Sequence, residues 1–340
     1  MTVGFRLDSN EYVASGHMFR CVTIANALRK KNVKVIFLLA EEKNTELLLK
    51  NKFKYIVFHG HWNDYDQDID AIQNVIGNEE IDILVVDSYK ATKTFLEQIN
   101  RKTPVFLLDD MCKEQYNVNT VLHISEWEGN TPLKELYKDS CVKTISGLKY
   151  VPLREEFTED KMCDPQKQIL ITTGGTDAYH VSYRVAQLLL NESKLNEFSI
   201  LVVCGSDNQD YDKLCDLRKK EARLNVIRNA WNMAELMRQS TFAVSAGGMT
   251  IYELSAVHCP TVALAISDDQ LRFLTEMQKL GIVLYAGDIR QNKEDTYGRL
   301  MQCVIRLLDK TEIETMQSHM QCLVDGKGAD RISCEILRCK

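Results

Sequence analysis

The chain has 340 residues, a length that predicts two domains at roughly 150 residues each. Apolar residues make up 45% and charged residues 26%, while Gly (16) and Pro (5) are scarce, which excludes collagen-like, low-complexity and long disordered readings. With 42 basic and 48 acidic residues the net charge is -6, a poor match for a polyanionic duplex, so no nucleic-acid partner is expected.

From the N-terminus, short apolar runs alternate with amphipathic stretches. Val3 to Leu7, Val33 to Leu39, Tyr55 to Phe58, Ile83 to Val86 and Val105 to Leu108 read as strands. Most are near-continuous in aliphatic and β-branched residues, the pattern of a parallel sheet covered on both faces. Cys21, Ala25 and Leu28 recur at helical spacing, and Arg29-Lys30-Lys31 places cations at the C-terminal end of that helix. Residues 154–167 are charged, include a Pro and show no periodicity, as a linker would. The alternation then resumes with strands at Ile169 to Thr172, Ser199 to Cys204, Phe242 to Ser245, Thr261 to Ile266 and Ile282 to Tyr285. Helices are expected at about 180–191, 209–221, 233–239, 249–257, 269–280 and 295–309. The fold class expected is α/β, with two doubly wound, Rossmann-like domains facing across a cleft. Their bounds are 1–153 and 168–340, the final helix being free to pack back toward the first domain.

No apolar run approaches the ~20 residues that span a bilayer. The opening Met1-Thr2-Val3-Gly4-Phe5-Arg6 has no basic segment followed by an apolar one, so a cytoplasmic chain is expected. Eleven cysteines, an odd count without any Cys-x-x-Cys, suggest free thiols, with Cys21, Cys204 and Cys259 acting as small hydrophobes. His59 and His61 lack a nearby third ligand, and no metal is expected.

The dinucleotide-binding G-x-G-x-x-G, the Walker A loop and the G-x-S-x-G nucleophile elbow are all absent, which weakens dehydrogenase, kinase and serine-hydrolase readings. Three strand-to-helix junctions remain. In the first, Arg6-Leu7-Asp8 leads through a polar loop to Gly16-His17 at a helix start, where Gly16 permits close approach and His17 is placed either to act as a general base or merely to cap. In the second, Thr172-Thr173-Gly174-Gly175-Thr176-Asp177, paired glycines can offer amides to a phosphate or simply make a tight turn. In the third, Gly247-Gly248-Met249-Thr250 opens a helix whose free amides and dipole suit a diphosphate. Glu253, one turn in, is positioned for ribose hydroxyls or for the dipole alone.

Taken together, R-x-D-x(7)-G-H-x-x-R-C, G-G-x-D, Asn232-Met233-Ala234-Glu235-Leu236-Met237 and A-G-G-x-T-x-x-E resemble the UDP-2,4-diacetamido-2,4,6-trideoxy-β-L-altropyranose hydrolases of pseudaminic acid biosynthesis, relatives of the GT-B glycosyltransferases of the MurG type. Val86-Asp87-Ser88-Tyr89, Leu108-Asp109-Asp110, Tyr150 to Arg154 and Asp325 to Ala329 extend the resemblance over nearly the full length. It implies a cofactor-free, metal-independent enzyme that cleaves a UDP-sugar with water, inverting the anomeric carbon. His17 would activate the water. Arg6, Asp8, Gly16, Asp87 and Tyr89 would line the sugar, with Gly175, Asp269 and Gln270 also on the substrate. Asn232 and Met233 would lie under the base, and Gly247, Gly248, Thr250 and Glu253 at diphosphate and ribose. The family pattern has Asn where this chain has Asp269, and Asn-Gln-Asn where it has Leu122 to Ser125, so the sugar itself is left open. An inverting glycosyltransferase and a non-catalytic nucleotide-sugar binding protein are the rival expectations.

Overall fold

The apolar runs assemble into two separate parallel sheets. The computed structural model describes residues 1–8, 16–43, 45–124, 132–158, 165–321 and 323–339. It divides into one unit of Met1–Arg154 with Gly326–Lys340 and a second of Glu155–Asp325.

In the first unit the strands are β1 (Thr2–Leu7), β2 (Lys34–Leu39), β3 (Lys54–Val57), β4 (Ile83–Asp87), β5 (Val105–Leu108), β6 (Thr120–His123) and β7 (Lys143–Ser146). They lie in the order β3-β2-β1-β4-β5-β6-β7, every pair parallel. Parallel neighbours need a crossover, and helices such as Gly16–Lys30, Ile69–Asn78 and Lys93–Asn100 supply it. All six residues of β1 are buried, as expected of a central strand covered on both faces. The strand order reverses between β1 and β4, so their carboxyl ends flank a topological switch point, where ligands bind in open α/β sheets. Register sets Leu7 beside Asp87 and Asp87 beside Leu108, which brings the residues after β1, β4 and β5 to one edge.

The helix Gly16–Lys30 buries Cys21, Ala25 and Leu28 completely and carries Arg29 and Lys30 in its last turn. Asn32, with φ of 61°, turns the chain out of it. Against this helix packs the closing helix, Gly328–Leu337. A Cβ at Gly328 would lie 2.0 Å from the Val151 carbonyl oxygen, so only glycine permits that approach. Ile332 and Ile336 are fully buried there, each contributing roughly 2 kcal/mol of transfer free energy. Residues 326–340 therefore cluster with the first unit, the side toward which the sequence reading leaves the final helix of 168–340 free to pack.

The second unit holds β8 (Gln166–Thr172), β9 (Ser199–Cys204), β10 (Leu224–Arg228), β11 (Ser240–Ala246), β12 (Thr261–Ala265) and β13 (Leu284–Asp288), in the order β10-β9-β8-β11-β12-β13 and again all parallel. Its switch point lies between β8 and β11, where Ser245 is in register with Thr172. Within the expected linker, Glu155–Phe157 forms one 3-10 turn with Phe157 buried and β8 already begins at Gln166, because an apolar anchor and a strand lie at its two ends. The rest of the linker, 159–164, lies outside the described residues.

Candidate functional site

At the switch point of the first unit, His17 is the second residue of its helix and only 7% exposed. Its Nδ1 lies 2.5 Å from Oδ1 of Asp87, the last residue of β4. Burial acts to raise the Asp87 carboxyl, but the opposing charge of Arg20, then of His17, outweighs it and holds the group well below the usual carboxylate range. Asp87 is therefore a carboxylate, and the Nδ1–H must donate to it. That fixes the tautomer, with the lone pair on Nε2. Among the described residues none hydrogen-bonds to Nε2. The Tyr89 ring meets the imidazole edge-on, centroids 4.7 Å apart, and its hydroxyl donates to Asp110 at 3.4 Å.

Arg20, one turn along the same helix, donates from Nε to Asp87 Oδ2 at 2.6 Å, from Nη2 to Asp87 Oδ1, and from Nη1 to Asp110 Oδ2 at 2.7 Å. The Cys21 thiol also faces Oδ2, at 3.2 Å, and burial first, then Asp87, pushes its pKa far up, so it is an inert donor. Arg20 and Asp110 both stand in motifs that carry the family resemblance, but neither is given a role from the sequence. The His17-x-x-Arg20 spacing, which puts both on one helix face, is the signal that would have found Arg20.

Beside this cluster Arg6 is fully buried in β1. Its Nη1 donates to the Leu7 carbonyl at 2.8 Å and to Asp8 Oδ1 at 2.7 Å, while the Tyr65 hydroxyl donates to Asp8 Oδ2 at 2.8 Å. The guanidinium stacks on Tyr65, 4.2 Å from the ring centroid. Arg6 and Asp8 are thus committed to each other, and Tyr65, 57 residues on, carries no local sequence signal for the role. Gly16 has open space where a side chain would be. The loop between Asp8 and Gly16 lies outside the described residues.

The second switch point is built from backbone. After β8 comes Gly174, with φ of 94°, then Gly175. Asp177 accepts from the Val181 and Ser182 amides at 3.0 and 2.8 Å, so the start of the helix Val181–Asn191 is already satisfied by its own loop. The helix Met249–Ala256 differs: it opens at Gly248 with no side-chain cap, the Ile251 amide turning back to the Gly248 carbonyl at 3.0 Å, so that among the described residues the Met249 and Thr250 amides are those left at a helix start of the kind that suits an anion. Gly248 has φ of 113°, a conformation that side chains rarely adopt. Gly247 lies against Gln270, whose side chain would be 3.0 Å from an added Cβ and whose Oε1 accepts from the Ile266 amide at 2.9 Å. Gln270 thereby braces the glycine turn from beneath. Thr250 and Glu253 are half-buried on the first turns of the Gly248 helix. Asp269 is exposed in the first turn of Asp268–Lys279, and its neighbour Asp268 pairs with Arg290. Exposed Asn232 precedes the helix Met233–Gln239, its amide donating to Glu235 at 3.1 Å, and Met233 is half-buried.

The expected residues thus fall into two groups, one at each switch point. His17 touches both Asp87 and Tyr89, with Arg6 and Asp8 as a separate pair. Gly175, Gly247, Gly248, Thr250 and Gln270 lie at the carboxyl ends of β8, β11 and β12. His59 and His61 follow β3, where His61 faces Asp68 at 3.3 Å. Among the described residues, no group of three or more His, Cys, Asp or Glu side chains is arranged to hold a metal ion.

Comparison with known proteins agrees with this architecture. Residues 168–321 match the Glycosyltransferase family 28 C-terminal domain. The uncharacterized protein MJ1062 of Methanocaldococcus jannaschii is 28% identical over 278 residues, 78% of this chain and 55% of that protein. The spore coat polysaccharide biosynthesis protein SpsG of Bacillus subtilis is 20% identical over 98% of this chain and 97% of its own length. A pseudaminic acid cytidylyltransferase and UDP-2,4-diacetamido-2,4,6-trideoxy-beta-L-altropyranose hydrolase of Helicobacter pylori is 23% identical over 78% of this chain, which spans only 45% of it. Among solved structures, Acinetobacter baumannii MurG superimposes with a TM-score of 0.72 over 99% of this chain and 100% of its own, at 12% identity. The chain has the two-domain, Rossmann-like fold of the GT-B glycosyltransferases.

Proposed function

We propose that this protein is a nucleotide-sugar hydrolase that releases UDP and a free deoxy amino sugar, a 2,4-diacetamido-2,4,6-trideoxy hexose or a close relative. One observation carries the chemistry: Asp87 accepts the Nδ1–H hydrogen bond of His17, which in the neutral ring leaves Nε2 as an acceptor on a buried, oriented side chain. In this reading Nε2 removes a proton from water as the water oxygen bonds to the anomeric carbon. The bond from that carbon to the diphosphate oxygen breaks, its electron pair leaves with UDP, and the configuration inverts. UDP is already a good leaving group, and the amides of the Gly248 turn and the dipole of its helix offset its charge. Thr250, Glu253, Asn232 and Met233 are assigned to the nucleotide. Gly16, Asp87, Tyr89 and Asp269 are assigned to the sugar end, with Arg6 and Asp8 shaping it, and Gly175 and Gln270 to the substrate where sugar and diphosphate meet. The sugar class rests on the similarity to the Helicobacter pylori protein.

The match of 168–321 to a glycosyltransferase domain favours a second reading, in which an acceptor hydroxyl replaces water at the same base. One experiment separates the two. The full chain is mixed with candidate UDP-sugars and UDP release is followed by chromatography. Release at full rate in buffer alone supports the hydrolase. Release that waits for an added acceptor establishes the transferase instead.

A further inference from the structure

A carboxylate beside an imidazole is a double-edged arrangement. It orients the ring, but it also stabilises the imidazolium, which has no lone pair to accept a proton. The structure contains a counterweight. Arg20 grips both oxygens of Asp87, and its Nη2 lies 3.4 Å from His17 Nδ1. Both of those nitrogens are donors, so this last contact is no hydrogen bond. It is a fixed positive charge beside the place where a second positive charge would form. Asp110 in turn accepts from Nη1 at 2.7 Å, a second anchor for the guanidinium.

We propose that Arg20 is the positioning residue of the His17–Asp87 pair: by holding both Asp87 oxygens it fixes which one meets Nδ1–H, and by its charge it keeps the imidazole neutral and able to accept a proton at Nε2. The inference rests on the reading of His17 as a general base. Among the described residues, the charged and titratable groups around the ring are Asp87 from β4, Tyr89 from the loop after it, Asp110 from the loop after β5 and Arg20 and Cys21 from the helix itself. From β1, Arg6 and Asp8 neutralise each other. Removing Arg20 takes away a repulsion on the imidazolium and unmasks an attraction, so both effects raise the pH at which His17 titrates. Removing the charge of Asp110 acts the other way.

The test uses the full chain labelled with 15N-histidine, the His17 signals being assigned by their loss in His17→Gln. NMR then reports the titration midpoint and which ring nitrogen carries the proton. Arg20→Gln, which keeps donors for Asp87 but no charge, should raise the midpoint by about one pH unit or more. Asp110→Asn should lower it. Arg20→Lys restores a cation without the fork, and should return the midpoint toward wild type while turnover stays reduced. An Arg20→Gln midpoint that is unchanged or lower overturns the proposal. Should that variant fail to fold, half-buried Asp110 decides, and a midpoint that stays or rises in Asp110→Asn overturns it equally. The acid limb of UDP release should follow the NMR midpoint. If the midpoints move as stated but release does not follow, the base assignment fails and the Arg20 proposal stands.

Discussion

The two sheets of this protein have the same local topology and opposite chemistry. Both reverse strand order beside their first strand, β1 in one unit and β8 in the other, and both bring loops to the carboxyl edge of that reversal. In the first unit that edge carries His17, Arg20, Asp87 and Asp110, whose side chains bond to one another at 2.5 to 2.7 Å. In the second they carry Gly174, Gly175, Gly247 and Gly248, and what faces outward is the polypeptide backbone. A parallel sheet thus dictates where a ligand can bind, and the residues after its strands decide whether the place reacts or only holds. Titratable side chains bonded to one another occupy one switch point. Amides that move nothing occupy the other.

That division can be broken at either end, most severely at the reactive one. His17→Gln should lower kcat by roughly 10²–10⁴ and leave UDP affinity nearly unchanged, by steady-state release and titration calorimetry side by side. A matching loss of UDP binding would mean that the first unit also holds the nucleotide. Asp87→Asn should cost turnover on a comparable scale, because an amide can present the wrong partner to Nδ1 and select the wrong tautomer.

Asp87 also ties stability to acid. A carboxyl held below its ordinary value contributes stability that is fully present above about pH 4, near its unfolded value, and is lost as pH falls through the folded value. Denaturant midpoints measured between pH 6 and pH 2 should therefore fall less steeply in Asp87→Asn than in wild type.

At the backbone switch point the expected effects are smaller and can be separated. Gly248→Val must force φ of 113° on a β-branched residue, costing about 1–3 kcal/mol of stability along with UDP affinity. Gly175→Ala meets open space, so thermal unfolding should stay where it is while calorimetry reports weaker UDP binding. Equal UDP affinity in both variants would move the nucleotide away from these loops. The smallest effect is expected at exposed Asp269, where Asn should leave turnover unchanged or raise it a few-fold with a 2,4-diacetamido sugar. A large loss there would show a pocket built around the carboxylate.

Much of the fold is legible because buried parallel strands must be apolar throughout. β1, β4, β5, β9 and β12 stand out as runs for that reason. β6 and β7 are four-residue strands containing Thr, His, Lys and Ser, too short and too polar for the same signal. β10, at an edge, alternates buried Leu224 and Val226 with exposed Asn225, a pattern that does not extend far enough to register. The helix Lys310–Gln321 goes unassigned because it buries little beyond Met316 and Met320 and so offers a weak apolar stripe. At the site, His17 and the glycine turns are readable as residues following a strand. What was not legible is pairing: Asp87 is found under His17 from 70 positions away, and Tyr65 on Asp8 from 57. Such contacts are made by strand order, which one sequence does not display.

The closing helix makes the second unit an insertion within the first. Residues 155–325 interrupt a body that begins at Met1 and is finished only by the segment from Gly326 onward. During synthesis the first unit therefore emerges first but is completed last. Until Gly328 docks on Val151, the side of the His17 helix covered by Ile332 and Ile336 stays uncovered while the intervening unit is made. Loss of the last fifteen or so residues would accordingly leave the sheet nearest to them in sequence intact, and the damage would appear some 300 positions upstream, around His17.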